Sequence, residues 1–181
     1  MRIVGLCGYS GSGKTTCANL MQESMDLVQI VSTGAAVRAM MKDRGIALTH
    51  SALQEFNASL KETLGDRYIS IVHASIDKTN SIVLVDALRT EADYRELRRQ
   101  YDRQFSLVGL SSAEEVRFAR LVGRNRPGDI QNRGEFDSLV KRERDWGVEA
   151  LLEKADLKIA NDYRELEPLV EELRRHPLLR T

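Results

Sequence analysis

The sequence predicts an α/β fold in which a five-stranded parallel sheet carries helices on both faces. Short apolar segments alternate with segments whose apolar residues recur at helical spacing, a pattern typical of parallel sheets with helical crossovers. The segment from Ser81 to Asp86 has a continuous apolar centre, as expected for a strand covered on both faces. In such sheets ligands bind at the carboxyl ends of the strands, so the residues that follow each strand are the candidates for function.

Local patterns predict the first half of the element order. Ile3 to Cys7 is an apolar strand that leads into a glycine-rich turn, and Thr16 to Met25 carries apolar residues at helical spacing. A second strand covers 27–31. Gly45 and Gly65 then punctuate a helical region, and Gly65 has the features of a helix end. The helices predicted there are 35–44, 51–64 and 66–78, followed by the strand 81–86.

The second half continues the alternation. Glu91 to Tyr101 is a charged helix, and a fourth strand covers 105–110. Ser112 with Glu115 predicts a capping box at the start of a helix that reaches Val122. The remaining predictions are an exposed loop at 124–134, helices at 135–154 and 165–175, and a fifth strand at 156–160 between those two helices.

Composition predicts a single soluble domain over residues 1–181. The 27 acidic and 27 basic residues balance, so no global charge favours nucleic acid or a membrane surface. No apolar stretch approaches the ~20 residues of a membrane span, and we therefore expect a cytoplasmic protein. Cys7 and Cys17 lack the spacing of a zinc site or a disulfide framework, and both are predicted to be core residues.

A phosphate-binding loop follows the first strand. Gly8 to Thr15 fits the pattern G-x-x-x-x-G-K-[ST] at every fixed position, between a predicted strand and a predicted helix. Glycines allow the chain to curl so that backbone N–H groups point at an anion, and the helix N-terminus adds its positive dipole end. The fold is therefore predicted to be the three-layer P-loop NTPase fold. The predicted ATP-binding residues are Gly8, Ser10, Gly11, Ser12, Gly13, Lys14, Thr15 and Thr16.

Two side chains of this loop have chemical roles that the pattern predicts. Lys14 would reach the β- and γ-phosphates of ATP, and the Thr15 hydroxyl would bind Mg²⁺. Asp86 ends the third predicted strand, where its carboxylate could hold the same Mg²⁺ through water. The alternative for Asp86 is a simple cap of the strand-to-helix turn.

The segment Ser32-Thr33-Gly34, followed by Arg38-Ala39, resembles the acceptor-binding region of adenylate kinase and related nucleoside monophosphate kinases. The resemblance implies that Thr33 and Gly34 lie beside the acceptor and that Arg38 projects toward an acceptor phosphate. In the alternative interpretation Ser32 or Thr33 caps a helix and Arg38 is a solvated surface charge.

Asp86-Ala87-Leu88-Arg89-Thr90 resembles the D-G-x-P-R-T segment of that family, shortened by one residue and without its proline. The resemblance implies that Arg89 grips the acceptor phosphate from the side opposite Arg38. Shortened D-x-x-R segments resemble a group of small, mostly archaeal, P-loop kinase-like proteins related to adenylate kinase or dephospho-CoA kinase. The shortened segment is therefore compatible both with a relative of adenylate kinase and with a relative of dephospho-CoA kinase.

Basic residues concentrate between Arg117 and Arg144. The stretch from Arg120 to Arg126 resembles the R-x-x-G-R start of a kinase lid, and Arg142 falls where the returning lid helix of that family carries arginines. A closing arginine lid suits phosphoryl transfer, which depends mainly on positioning and charge neutralisation. The alternative is a solvated helix face with ion pairs. The predicted catalytic residues are Lys14, Arg120, Arg124, Arg126 and Arg142.

The predicted function is an ATP- and Mg²⁺-dependent small-molecule kinase. The acceptor-binding insertion covers about 33–80 and the lid about 124–142 of one kinase domain. The favoured acceptor is a nucleoside or deoxynucleoside monophosphate, and dephospho-CoA is the alternative. A different class of function, an ATP-binding or ATPase module that depends on a partner, is also compatible with the sequence. A GTPase switch is not supported, because no N-K-x-D segment follows the fourth strand. We expect a nucleotide-like acceptor, no membrane or nucleic-acid partner, and a monomer or homodimer. Trp146 is predicted to be a packing residue and Asn161 a turn residue, with a position near the base of the donor as the alternative for Asn161.

Overall fold

A computed structural model describes residues 1–124 and 130–162, together with Glu171 and Arg175. Five parallel strands form one sheet, as the sequence predicts. The strands are β1 (Arg2–Cys7), β2 (Val28–Ser32), β3 (Ile82–Asp86), β4 (Phe105–Ser111) and β5 (Leu157–Ala160), and their order in the sheet is β2-β3-β1-β4-β5. The helices are α1 (Lys14–Ser24), α2 (Thr33–Asp43), α3 (His50–Leu64), α4 (Glu91–Tyr101), α5 (Glu114–Gly123), α6 (Arg133–Asp145) and α7 (Val148–Lys154), with 3₁₀-helices at Gly65–Ser75 and Asp102–Gln104.

Alternating side chains of the strands divide the core into two layers. In β1, Val4 and Leu6 pack with Cys17 of α1 on one face of the sheet. Ile3 and Cys7 pack on the other face against apolar residues of α4, α7 and the longer 3₁₀-helix. Both cysteines are fully buried, so the prediction that they belong to the core is confirmed.

Most predicted elements are confirmed, and the corrections have local causes. The helix predicted at 66–78 is the 3₁₀-helix Gly65–Ser75. The helix predicted at 135–154 is divided into α6 and α7 by Gly147, whose φ of 91° lies in the left-handed region. The capping box predicted at the start of α5 is wrong: the N-cap is Ala113, and the Ser112 hydroxyl donates to the carbonyl of Asn161 instead. Residues 125–129 of the predicted loop lie outside the described residues, and so does the predicted helix 165–175 except for Glu171 and Arg175.

The sheet brings three chain segments to one edge. β1 ends at Cys7, directly before the glycine-rich loop, and pairs with β3 so that Leu6 lies opposite Asp86. β2 pairs with the other side of β3 and places Ser32 opposite the same aspartate. The loop, the end of β3 and the start of α2 are therefore neighbours, although they are far apart in sequence. Among the described residues, no helix is long and apolar enough to span a membrane.

Candidate active site

The glycine-rich loop adopts its curl because two of its glycines have no room for a side chain. Gly8 has a φ of 137°, and a Cβ atom there would lie 2.1 Å from the carbonyl oxygen of Leu110. Gly13, the N-cap of α1, has a φ of 96°, and its Cβ would lie 2.2 Å from the amide nitrogen of Asn161. Glycine at these positions lets the loop wind closely around the end of α1.

Two side chains brace the outer side of the loop. The amide of Asn161, which is only 3% exposed, donates to the carbonyl of Ser12 at 2.9 Å. Arg120 donates to the carbonyls of Gly11 at 3.3 Å and Asn161 at 2.9 Å. Asn161 follows β5 and Arg120 lies on α5, so the loop is held by residues from the β5 edge of the sheet and the neighbouring helix. The catalytic role predicted for Arg120 stays a prediction, since its Nη1 donates to protein groups: the Gly11 and Asn161 carbonyls and the Ser112 hydroxyl, the last at 3.0 Å.

Lys14 is held inside the loop by the loop's own backbone. Its Nζ donates to the carbonyls of Gly8 at 2.7 Å and Tyr9 at 2.9 Å. Burial and, to a smaller extent, the positive charge of Arg89 lower the pKa of Lys14 to about 8, against the opposing effects of Glu143 and Asp86. The ammonium group would therefore gain from a phosphate anion in the loop.

Thr15 and Asp86 meet at the edge of the sheet. The Thr15 hydroxyl donates to Oδ2 of Asp86 at 3.0 Å. A hydroxyl and a carboxylate are oxygen ligands of the kind that Mg²⁺ prefers, usually together with waters and substrate phosphates. These two residues fit the metal role that the sequence predicts for them.

The residues predicted to bind the acceptor begin α2. The Ser32 hydroxyl accepts from the backbone N–H of Ala35 at 3.3 Å, so Ser32 is the N-cap, and Thr33 and Gly34 form the first turn. Arg38 is exposed, and its Nη1 lies 3.4 Å from the position of a Cβ on Gly34. Arg38 thus folds back toward the sheet edge that carries Asp86.

Arg89 connects the β3–α4 turn with α6. Its Nη1 lies 3.5 Å from Oε1 of Glu143, while the arginine side chain is 45% exposed and the glutamate 2% exposed. Glu143 also contacts the loop: Oε2 accepts the Ser10 backbone N–H at 2.9 Å, and Oε1 accepts the Ser10 hydroxyl at 2.6 Å. α6 therefore places a buried acidic side chain against the phosphate loop.

The predicted lid arginines occupy different environments. Arg142 is exposed on α6, beside the buried Glu143, and Arg124 is the C-cap of α5. Arg126 lies outside the described residues. Arg117 is buried instead: its guanidinium lies 4.8 Å from the Tyr9 ring and its Nε donates to the Ser112 carbonyl at 3.2 Å. The lid function of these arginines stays a prediction.

Sequence reasoning missed a group of side chains next to Arg89. Lys61 places its Nζ 4.7 Å from the Trp146 ring and 5.4 Å from the Tyr68 ring. The guanidinium of Arg89 lies 5.6 Å from the same indole, so Trp146, predicted only to pack, is contacted by two cations. These residues come from α3, the 3₁₀-helix Gly65–Ser75, the β3–α4 turn and the end of α6, and no local motif links such distant segments.

Comparison with known sequences identifies relatives along most of the chain. The profile of a family described as AAA domain matches residues 7–137. A UPF0200 protein of Halobacterium salinarum is 31% identical over 172 residues, covering 89% of this chain and 85% of the relative. A UPF0200 protein of Methanoculleus marisnigri is 28% identical over 176 residues, covering 96% and 94%. The chain spans 50% of a longer relative, a UPF0200/UPF0201 protein of Archaeoglobus fulgidus, with which it shares 29% identity over 166 residues.

Solved kinase structures share the fold. A shikimate kinase from Acinetobacter baumannii, in complex with shikimate, aligns with a TM-score of 0.63 at 17% identity and covers 97% of this chain and 92% of its own. A sugar kinase from a Janibacter species aligns with a TM-score of 0.52 at 25% identity and covers 100% and 99%. The arrangement of sheet, loop and helices is thus that of P-loop kinases.

Proposed function

This chain belongs to the UPF0200 protein family and to the AAA domain family, and on that premise we propose that it is an ATP- and Mg²⁺-dependent small-molecule phosphotransferase. The observation that carries the proposal is the hydrogen bond between Thr15 and Asp86 next to the buried ammonium of Lys14. A phosphate loop, a lysine and two magnesium ligands are the parts that phosphoryl transfer from a nucleoside triphosphate requires.

In this proposal the chain's residues divide the work between the phosphates and the metal. The loop N–H groups would hold the β-phosphate, and Lys14 would neutralise charge on the β- and γ-phosphates. Thr15 and Asp86 would hold Mg²⁺, the latter through water, and the bound ion would supply further charge neutralisation. Since the loop is already braced by Asn161, ATP would meet a preorganised site.

The acceptor would lie on the β2 side of the loop, between Arg38 and Arg89 and the arginines of α5 and α6. The sequence resemblance supports a nucleoside monophosphate first and dephospho-CoA second. The likeness to the sugar kinase supports a hydroxyl compound as a further acceptor class. Arg38 and Arg89 both arise from segments that follow neighbouring strands, which supports a shared acceptor site at that edge.

The proposal is tested by measuring Mg²⁺-dependent ADP formation with a panel of possible acceptors. The panel contains ribo- and deoxynucleoside monophosphates, dephospho-CoA, gluconate and shikimate, and mass spectrometry identifies the products. We expect one phosphorylated acceptor with catalytic turnover. Equal release of ADP and free phosphate with every acceptor would instead support an ATPase that acts with a macromolecular partner.

The metal site is tested separately with Asp86→Asn. We expect the Mg²⁺ concentration for half-maximal activity to rise, because the neutral amide is a weaker metal ligand than the carboxylate. The matched control is Asp26→Asn, since Asp26 is exposed in the turn before β2, at the opposite end of the strands. An unchanged Mg²⁺ requirement in Asp86→Asn would contradict the metal role of this residue.

A further inference from the structure

We propose that Glu143 receives a proton from the acceptor, and that the acceptor is therefore an alcohol that also carries an anionic group. This inference rests on the proposed phosphotransferase function and narrows its substrate class. Three features of the structure support it: the position of Glu143, its hydrogen-bond partners, and the two cations on Trp146.

Glu143 is hydrogen-bonded to the phosphate loop and lies within electrostatic range of Lys14. Its carboxylate is hydrogen-bonded to both the backbone and the side chain of Ser10, inside the loop sequence. It also acts electrostatically on Lys14, whose pKa it raises against the effect of burial. Because a lysine at this position of a phosphate loop reaches the β- and γ-phosphates, the carboxylate would lie close to the γ-phosphoryl group.

A buried carboxylate at that place selects between the acceptor classes. Glu143 is 2% exposed, and its described partners are the N–H and hydroxyl of Ser10 and the guanidinium of Arg89. A phosphate acceptor would bring its negative charge next to this carboxylate and would have no proton to give it. A hydroxyl acceptor would donate to it, as the Ser10 hydroxyl does at 2.6 Å. The geometry therefore favours an alcohol over a nucleoside monophosphate.

The anionic part of the acceptor follows from the cations next to this carboxylate. Lys61 and Arg89 both contact the Trp146 ring, at 4.7 and 5.6 Å. Burial lowers the pKa of Lys61, Asp93 opposes that effect, and Arg89 lowers the pKa further. Two neighbouring cations, one of them partly desolvated, would be stabilised by a bound carboxylate or phosphate. Arg89 touches both Glu143 and Trp146, so the reacting hydroxyl and the anionic group would bind side by side.

The proposed step balances in atoms and charge. The acceptor O–H bond breaks and its proton passes to the Glu143 carboxylate, while the acceptor oxygen forms a bond to the γ-phosphorus. The bond between that phosphorus and the β–γ bridging oxygen breaks, and ADP leaves with the bonding electron pair. The carboxylic acid then releases its proton to solvent, which restores the enzyme.

The test uses water as the smallest hydroxyl acceptor, so that it does not depend on an identified substrate. ADP formation from Mg·ATP is measured under single-turnover conditions for the full chain, for Glu143→Gln and for Glu143→Asp, together with the Kd of ATP. We expect Glu143→Gln to reduce the rate by roughly 10²-fold or more without weakening ATP binding, and Glu143→Asp to recover part of the rate. Glu153→Gln makes the same chemical change at an exposed site on α7 and should match the unmodified chain.

Three results would overturn the inference. An unchanged rate in Glu143→Gln would mean that the carboxylate takes no part in the reaction, and a faster rate would mean that it obstructs the loop. Parallel loss of ATP affinity and rate would mean that Glu143 only braces Ser10. An inactive unmodified chain, with water and with every acceptor of the panel, would refute the proposed function itself, whereas an active chain with an equally active Glu143→Gln would refute this inference alone.

The product identifies the acceptor class independently. With the panel described above, ³¹P NMR of the product should show a phosphate ester on a hydroxyl group. Formation of a nucleoside diphosphate, which contains a new phosphoanhydride, would contradict the hydroxyl assignment. For an accepted alcohol, Lys61→Met should raise the KM of that acceptor at least about tenfold while changing the KM of ATP less than twofold, since it removes one charge-assisted contact.

Discussion

The two sides of the phosphate loop are built differently. On the β4–β5 side, Asn161 and Arg120 hold carbonyl groups of the loop through hydrogen bonds of 2.9 and 3.3 Å from buried or partly buried positions. On the β2 side, Arg38 is exposed and Arg89 is 45% exposed, and Lys61 contacts aromatic rings. The first side is held by hydrogen bonds to the loop backbone and, in the proposed function, would bind the triphosphate donor, whereas the second presents cations on separate elements.

This difference indicates how the two substrates would be handled. A preorganised loop gives strong electrostatic stabilisation without rearrangement on binding, which suits a donor that all P-loop kinases share. Side chains on α2, α3 and the β3–α4 turn that keep some contact with solvent can adjust to a ligand, which suits an acceptor that sets specificity. Mutations on the β4–β5 side of the loop, the donor side, should therefore reduce turnover with every acceptor. Mutations on the β2 side, the acceptor side, should weaken acceptor binding alone.

The largest expected effect is on the donor side. Lys14→Ala should reduce ATP turnover by at least about 10²–10³-fold, because it removes a preorganised positive charge from the phosphates. Circular dichroism should show a folded protein, since the Lys14 ammonium donates to carbonyls of the loop itself, at Gly8 and Tyr9, and not to another element of the described structure. Lys78→Ala, in the exposed turn before β3, is the control and should keep full turnover. Undiminished activity of Lys14→Ala would contradict the role of the phosphate loop in ATP turnover.

The next effect separates the two sides. Arg38→Ala should raise the KM of the acceptor by roughly tenfold to 150-fold, corresponding to 1.5–3 kcal/mol for a lost charge-assisted contact. The KM of ATP should change much less, because Arg38 lies on α2 and not on the loop. Steady-state kinetics with both substrates varied measure the two constants, and Arg103→Ala, exposed at the opposite end of β4, is the control. An equal rise in KM for both substrates would contradict the assignment of separate donor and acceptor sides.

A smaller effect tests the brace of the donor side. Asn161→Ala should lower the free energy of unfolding by about 1–3 kcal/mol, because the buried carbonyl of Ser12 loses its described donor. The Kd of ATP should rise as the loop loses its fixed curl. Denaturant unfolding and calorimetric titration measure both quantities, with Asn19→Ala on the exposed face of α1 as the control. If Asn161→Ala lowers the free energy of unfolding but leaves the Kd of ATP unchanged, the hydrogen bond from Asn161 does not preorganise the loop.

The smallest expected effect concerns the stability of the acceptor side. Burial lowers the pKa of His73, whose ring packs edge-on against Tyr101 and whose Nε2 is buried without a hydrogen-bond partner among the described residues. The unfolded imidazole then binds a proton at a higher pH than the folded one, so stability falls as pH decreases through the ordinary histidine range and is restored above it.

Hydrogen exchange measures where this loss occurs. Between pH 7 and about 5.5, protection factors in the 3₁₀-helix Gly65–Ser75 should fall slightly more than those in β1 and β4. His73→Phe keeps an aromatic ring at the contact with Tyr101 and should remove the difference. A pH response that persists in His73→Phe would assign it to another group.

Much of the donor side could be predicted because its signals are local. The glycines, Lys14 and Thr15 are contiguous, and Asp86 is recognised as the polar end of an apolar strand. The bond between Thr15 and Asp86 agrees with the predicted metal pair, although its function stays a prediction. The brace from Asn161 was not predicted, because an asparagine after a strand has the same sequence signal whether it turns the chain or bonds a distant carbonyl.

The acceptor side shows where such prediction stops. The sequence flagged Arg142 on α6, whereas the buried residue that reaches the loop is the adjacent Glu143. Neighbouring positions on a helix differ by about 100° in direction, so the choice between them depends on how α6 rotates against the loop. The two cations next to Trp146 come from α3 and the β3–α4 turn, so only the tertiary structure reveals that they contact its ring.

The sequence by itself determined the parallel sheet, the phosphate loop and the position of Asp86 at a strand end, because strand periodicity and loop chemistry are set by residues close together in the chain. The tertiary structure decided which charges face the loop: Asn161 and Arg120 on one side, Glu143, Arg89 and Lys61 on the other. These contacts join residues up to 149 positions apart. Their formation depends on the packing of whole helices against the sheet, which no local pattern records.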